Sequence, residues 1–207
     1  LLEFFDATPG AVLIGTQMIA KGLDFPDVTL VGVINADTML KLPDFRAAER
    51  TFDLLEQVAG RAGRGEKPGK VIIQSYWSTH PAIASVVTHD RRPFLDAELK
   101  ERREGAYPPF SRLSNVLFWG ASEKEVRRVA DQMAEALHTK LDVQTGWEIL
   151  GPADCVKAKV KDKYRRHILV KAPVDAQVGE ILSECAASLD KRVGINMTLD
   201  VDAYDMM

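Results

Sequence analysis

No run of apolar residues in these 207 positions approaches the roughly 18 that a membrane-crossing helix requires. The opening Leu1-Leu2-Glu3-Phe4-Phe5 has no basic run before it, so no targeting segment is indicated and a cytosolic chain without membrane partners is expected. Cysteine is nearly absent. Cys155 and Cys185 stand alone, with no CxxC between them, which excludes a disulfide framework and a cysteine-based zinc site. His80, His89, His138 and His167 show no ligand spacing either, so no metal site is expected in this stretch. Charge of one sign is also lacking: the net value is −3, and the parts before and after residue 110 carry −2 and −1. Neither part is a basic nucleic-acid module, so a polyanion site has to be local. Also missing is any G-x-x-x-x-G-K-[ST] loop, because Gly69-Lys70 is followed by Val71, and any Asp-Glu-x-His box that would supply a magnesium ligand.

What is present reads as two kinds of pattern. Ala11–Ile14, Val28–Ile34 and Val71–Gln74 are apolar, β-branched runs of the kind found in parallel strands covered on both faces. Between the second and third, Ala48, Phe52, Leu55, Ala59 and Ala62 recur at helical spacing, which predicts an amphipathic helix from Phe45 to Arg64. Leu1–Phe5 reads as the tail of a helix, so the chain is expected to begin inside a domain. Ser78-Thr79-His80-Pro81 reads as a helix cap followed by a helix-starting proline, and a charged helix follows from Pro93 to about Glu104. Tyr107-Pro108-Pro109-Phe110 stops it, since prolines lack the amide donor and restrict the residue before them. Beyond that point a strand at Ser114–Trp119, a helix capped by Ser122 with Glu125, a turn at Gly151-Pro152, a basic hairpin, a helix at Asp175–Leu189 and a strand at Val193–Val201 give the order β-α-β-β-α-β. The expected domains are therefore 1–77, α/β with a parallel sheet; 78–108, a helical connector; and 109–207, a small α+β domain of split-βαβ character. Trp77, Trp119 and Trp147 have no basic neighbours in sequence and are expected to fill cores or edges rather than stack on bases.

Two stretches carry chemistry. Gln57, Arg61 and Arg64 recur at i, i+4 and i+7, one face of a continuous helix that Arg46 and Arg50 extend backwards, and glycines flank both later arginines. Planar guanidinium groups beside glycines can reach phosphate oxygens without bulky neighbours intervening. The second stretch, Val156–Lys171, holds seven Lys or Arg against Asp162 alone, a local charge of +6. Its basic residues occupy every second position from Lys157 through Lys159, Lys161 and Lys163 to Arg165, with Arg166 following; in one extended strand they would share a face suited to phosphates or an acidic peptide. The alternative is a solvated face, with Ala158, Val160 and Tyr164 turned to the core.

The loop Gly15-Thr16-Gln17-Met18-Ile19-Ala20-Lys21-Gly22-Leu23-Asp24-Phe25-Pro26, taken with Gln57-Val58-Ala59-Gly60-Arg61-Ala62-Gly63-Arg64, resembles motifs V and VI of superfamily-two helicases. Together with DFRAAER, the LKERR run into YPPF and LDVD near the end, the pattern is similar to the bacterial primosomal replication-restart helicase family over essentially the whole chain. The resemblance implies the C-terminal part of a second RecA-like lobe followed by a C-terminal α+β domain. It implies an ATP-dependent 3′-to-5′ DNA helicase that recognises abandoned forks and D-loops and initiates primosome assembly. Arg61 and Arg64 would meet the γ-phosphate, with Gln57 opening the motif. Gly22 and Asp24 would face the nucleotide, while Thr16 and Gln17 would face the DNA strand. ATP and Mg²⁺ would be completed by the other lobe, zinc would belong only to an upstream region, and this stretch alone would not hydrolyse ATP. Expected partners are fork, D-loop and single-stranded DNA, single-stranded DNA-binding protein and other primosome proteins, in the bacterial cytoplasm at the nucleoid. Two alternatives stand beside this: a non-enzymatic docking module for fork DNA or single-stranded DNA-binding protein, which would not need the arginine stripe, and another superfamily-two translocase, which would not carry the YPPF junction.

Overall fold

A computed structural model describes residues 1–16, 25, 27–60, 62, 68–141, 146–190, 194–204 and 206. The chain divides into two compact units, residues 1–99 and 100–207. It is an α/β protein, with a parallel two-stranded sheet in the first unit and an antiparallel four-stranded sheet in the second.

The first unit opens with a short helix, α1 (Leu2–Ala7), and is built on strands β1 (Leu30–Val33) and β2 (Lys70–Ile73). These strands pair in parallel from Leu30 opposite Lys70 to Val33 opposite Ile73. Parallel neighbours require a crossover, and helix α2 (Ala47–Ala59) lies in the connection. Ahead of it, the buried Asp44 carboxylate accepts from the Arg46 amide at 2.9 Å and pairs with Arg50 at 3.1 Å. Phe52 and Leu55 of α2, Ile83 and Val86 of α3 (Pro81–Thr88) and Phe94 of α4 (Arg92–Glu104) form the core, to which Val33 and Ile73 add from the sheet. The Phe52 and Phe94 rings stack at 4.5 Å.

Three expectations change here. Residues 11–16 form no strand: Val12 and Ile14 are 82% and 87% exposed, and no strand among the described residues pairs with them. Nor are β1 and β2 covered on both faces; exposure alternates along each, leaving Leu30 and Ile72 outward while Val33 and Ile73 pack inward. The helix expected from Phe45 to Arg64 spans only Ala47–Ala59 and ends on Gly60, whose amide donates to the Glu56 carbonyl at 3.0 Å. Gly60, Gly63 and Gly65 fall within six residues, and each costs about 1 kcal/mol in a helix interior. Helix α3 does begin at Pro81, but its cap is His80, whose Nδ1 accepts from the Ala82 amide at 3.2 Å.

In the second unit, β3 (Arg112–Gly120), α5 (Glu123–Lys140), β4 (Glu148–Val160), β5 (Lys163–Ala172), α6 (Val178–Ala187) and β6 (Ile195–Asp200) follow the expected β-α-β-β-α-β order. The sheet order is β4-β5-β3-β6, all antiparallel. Ser122 caps α5, its Oγ accepting from the Glu125 amide at 3.4 Å. Val126, Val129, Ala130, Met133 and Leu137, spaced by three and four, turn one stripe of α5 onto Val116 and Phe118 of β3 and Ile168 and Val170 of β5. Gly151-Pro152, expected to make a turn, instead lies inside β4, at a register break between Leu150 and Ala153. A bulge lets the strand continue past a residue that cannot donate to the ladder. Among the described residues, no helix is long and apolar enough to cross a membrane.

Candidate nucleotide and nucleic-acid interface

Of the residues expected at the nucleotide, Gly22, Asp24, Arg61 and Arg64 lie outside the described residues, as does Gln17 among those expected at DNA. Gln57 is exposed in the last turns of α2, and Thr16 is exposed in the irregular segment after α1. Helix α2 ends at Ala59, and the stripe expected to run on from Gln57 to Arg61 and Arg64 continues outside the described residues. Arg50 is paired with Asp44, and the Arg46 guanidinium lies 5.0 Å from the Phe45 ring centroid.

At the C-terminal ends of β1 and β2, where α/β sheets present ligand sites, the structure shows an organiser that sequence reading missed. Asp37, fully buried in a short 3₁₀ turn (Ala36–Thr38), accepts from the Tyr76 amide at 2.8 Å, the Ser75 hydroxyl at 2.7 Å and the Trp77 amide at 3.2 Å. The Tyr76 amide first, then the Ser75 hydroxyl, holds its carboxyl below the ordinary range, so it stays ionised. It ties the strand ends together across 38 to 40 residues of sequence and leaves the Tyr76 ring in solvent. The only signal in the sequence was an acid after an apolar run, which is too common to single out.

The basic hairpin exists, but its cations do not share a strand or a face. Lys161 and Asp162 form the turn, both with left-handed backbone (φ 47° and 60°), so Lys157 and Lys159 sit on β4 while Lys163, Arg165 and Arg166 sit on β5. Lys159 pairs across with Tyr164, and Val160 with Lys163. Directly paired residues point to the same side, so Lys159 and Lys163 lie on opposite faces. Arg166 follows Tyr164 toward the helices, and Arg165 follows Lys163 away from them. Lys159 is tied down by Asp162 at 3.3 Å and lies over the Tyr164 ring at 5.1 Å; Arg166 reaches the Pro152 carbonyl at 2.8 Å and Asp154 at 3.5 Å. Among the described residues, no ion pair engages Lys157, Lys161, Lys163 or Arg165. Tyr164 packs against the core, whereas Ala158 and Val160 are exposed.

Lys171, the last cation of the stretch, is buried. Its ammonium donates to the Gly105 carbonyl and to Glu148, both at 2.8 Å, and lies 4.1 Å from the Tyr107 ring centroid. This lysine fastens the YPPF junction to the sheet and is not available to a ligand.

Comparison with known proteins assigns both units. The family profile described as "Helicase conserved C-terminal domain" matches residues 1–66, and the one described as "Primosomal protein N C-terminal domain" matches residues 103–204. A helicase C-terminal domain therefore precedes a primosomal C-terminal domain in one chain. The chain is 42% identical over its whole length to the replication restart protein PriA of Bacillus subtilis (strain 168), of which it spans 26%. It is 43% identical to the Synechocystis protein of the same name (84% of this chain, 21% of that one) and 42% identical to that of Treponema pallidum (100% and 31%). The chain belongs to the PriA replication restart family and spans between about a fifth and a third of the length of these relatives.

Proposed function

We propose that this chain is the C-terminal part of an ATP-dependent 3′-to-5′ DNA helicase that recognises stalled forks and D-loops and starts primosome assembly for replication restart. The observation that carries the reading is the succession of a helicase C-terminal profile and a primosomal C-terminal profile in one chain, with whole-length identity to PriA proteins. In it, Arg61 and Arg64 supply charge to the γ-phosphate of ATP bound on the other lobe. Gln57 opens that motif, and Gly22 and Asp24 line the nucleotide. Mg²⁺ is held by the other lobe, and zinc belongs to upstream sequence. Thr16 and Gln17 meet the translocating DNA strand, and the hairpin meets DNA or the acidic tail of single-stranded DNA-binding protein. Other primosome proteins complete the assembly, at the nucleoid in the cytoplasm.

Arginines of this kind contribute roughly 10³ to 10⁵ in turnover elsewhere. In the full-length protein, Arg61→Ala or Arg64→Ala is expected to depress DNA-stimulated ATP hydrolysis on that scale, and this chain alone is expected to hydrolyse none above background. Near-normal turnover in either variant would remove that arginine from the site. Robust turnover by the chain alone would sink the division of the ATP site between two lobes.

A further inference from the structure

The four-stranded sheet carries α5 and α6 on one face only. Even-numbered residues of β3 and β5, from Val116 and Phe118 to Ile168 and Val170, are fully buried beneath those helices. Odd-numbered residues face the other way. At one end of that face Leu113 and Lys171 are buried, the latter under the Gly105–Tyr107 segment. At the other end Leu117, Trp119, Arg165 and His167 are only half-buried, and Asn196 on the neighbouring strand is exposed. Trp119 stands directly opposite Arg165 on β5 and Asn196 on β6, and Leu117 stands opposite His167. Burial first, then the nearby Arg165 charge, holds the His167 imidazole below its ordinary pKa, so His167 is neutral at physiological pH and the charge beside Trp119 is that of Arg165.

From this juxtaposition we propose that the open end of the sheet face binds single-stranded DNA, with an unstacked base on Trp119 and the adjoining phosphates on Arg165 and Lys163. Charge selects the occupant. Lys163 and Arg165 project on this face, Lys161 stands at the hairpin tip beside them, and no ion pair among the described residues engages any of the three. On that face Glu148 is bound by Lys171 at the covered end, and Asp200 stands opposite Asn115, four residues along β6 from Asn196. An aromatic ring with cations one strand away matches the repeat of base and phosphate in a single strand. A duplex keeps its base faces stacked and offers Trp119 nothing to stack on. The proposal rests on the hairpin's contact with DNA given above and adds the face used and the form of DNA taken.

Binding of the intact chain to an oligothymidylate and to a duplex of equal length, over a salt series, tests it. Trp119→Ala is expected to weaken single-strand binding roughly tenfold or more, leave duplex binding close to wild type and leave the salt slope unchanged; Trp119→Phe should restore most of the loss. A Lys161→Ala/Lys163→Ala variant should flatten the salt slope by about 0.7 for each phosphate that is no longer neutralised. A flattened slope in that double variant with wild-type single-strand affinity in Trp119→Ala would overturn the base-stacking proposal and leave the hairpin reading standing. An unchanged slope with a Trp119 effect would overturn the placement of phosphates on the hairpin, and with it the proposed face, leaving only a base contact at Trp119. Should Trp119→Ala not fold, photocrosslinking of the wild-type chain to a 5-iodouracil oligonucleotide decides. Adducts on the peptide containing Trp119 support the proposal, and adducts confined to other peptides overturn it.

Discussion

Asp37 holds two backbone amides and a hydroxyl with one carboxylate, and each of those bonds strengthens only while the group is ionised. Its folded pKa is depressed, so its contribution to stability is fully present above the unfolded value and is lost as pH falls through the lower folded value. Thermal unfolding of wild type and Asp37→Asn should therefore differ most near neutral pH, with wild type the more stable, and the two should converge in acid. A gap that stays constant or widens on acidification would mean that Asp37 is held neutral. Hydrogen exchange at the Tyr76 and Trp77 amides should accelerate in the variant, because those amides lose their charged acceptor. Residue chemistry of this kind was poorly legible beforehand. Asp37 and Ser75 are far apart in sequence, and Trp119 has no basic neighbour until the sheet register sets Arg165 across from it.

Among the elements, legibility followed how many faces each one buries. The second unit's helices and strands turn one stripe or face onto a single core, to which β3 and β5 give Val116, Phe118, Ile168 and Val170, so the period of three and four along α5 and the alternation in β6 stand out in the sequence and the β-α-β-β-α-β order was readable. In the first unit the apolar runs suggested strands covered on both sides, but a hydrophobic run reports affinity for burial, not the presence of a partner. Ala11–Ile14 has no strand beside it among the described residues and stays irregular. The basic repeat misled for a different reason. A period of two continued unbroken through Lys161, and nothing in the alternation marked the reversal that Lys161-Asp162 makes. Gly151 shows the opposite case, a glycine inside a strand where a turn was expected. Its φ is 103°, and an added Cβ would stand 2.9 Å from the His167 carbonyl oxygen. Gly151→Ala should thus cost about 1–3 kcal/mol in chemical denaturation, against the few tenths expected at an ordinary strand position. An unaffected denaturation midpoint would show that the bulge relaxes freely.

At the scale of the whole molecule, the two cores share no buried residue among those described: Phe52, Leu55, Ile83 and Phe94 serve the first, and Val116, Phe118, Met133 and Ile168 the second. Truncating Leu55, 1% exposed, to alanine should remove about 2–5 kcal/mol from the first unit, and Phe118→Ala about 3–5 kcal/mol from the second. Calorimetry should resolve two transitions, each variant lowering one and sparing the other. A single transition shifted equally by both would mean that the units unfold together. The Lys171 ammonium adds a consequence for excision. The second unit does not start at β3, because the Gly105 carbonyl and the Tyr107 ring are partners of a cation buried in β5, and Arg102 in turn reaches the Pro108 carbonyl at 3.4 Å. A gene fragment opening at Arg112 would express every strand and helix of the sheet yet strip that cation of all but Glu148, whereas one opening ahead of Arg102 would carry its own lid.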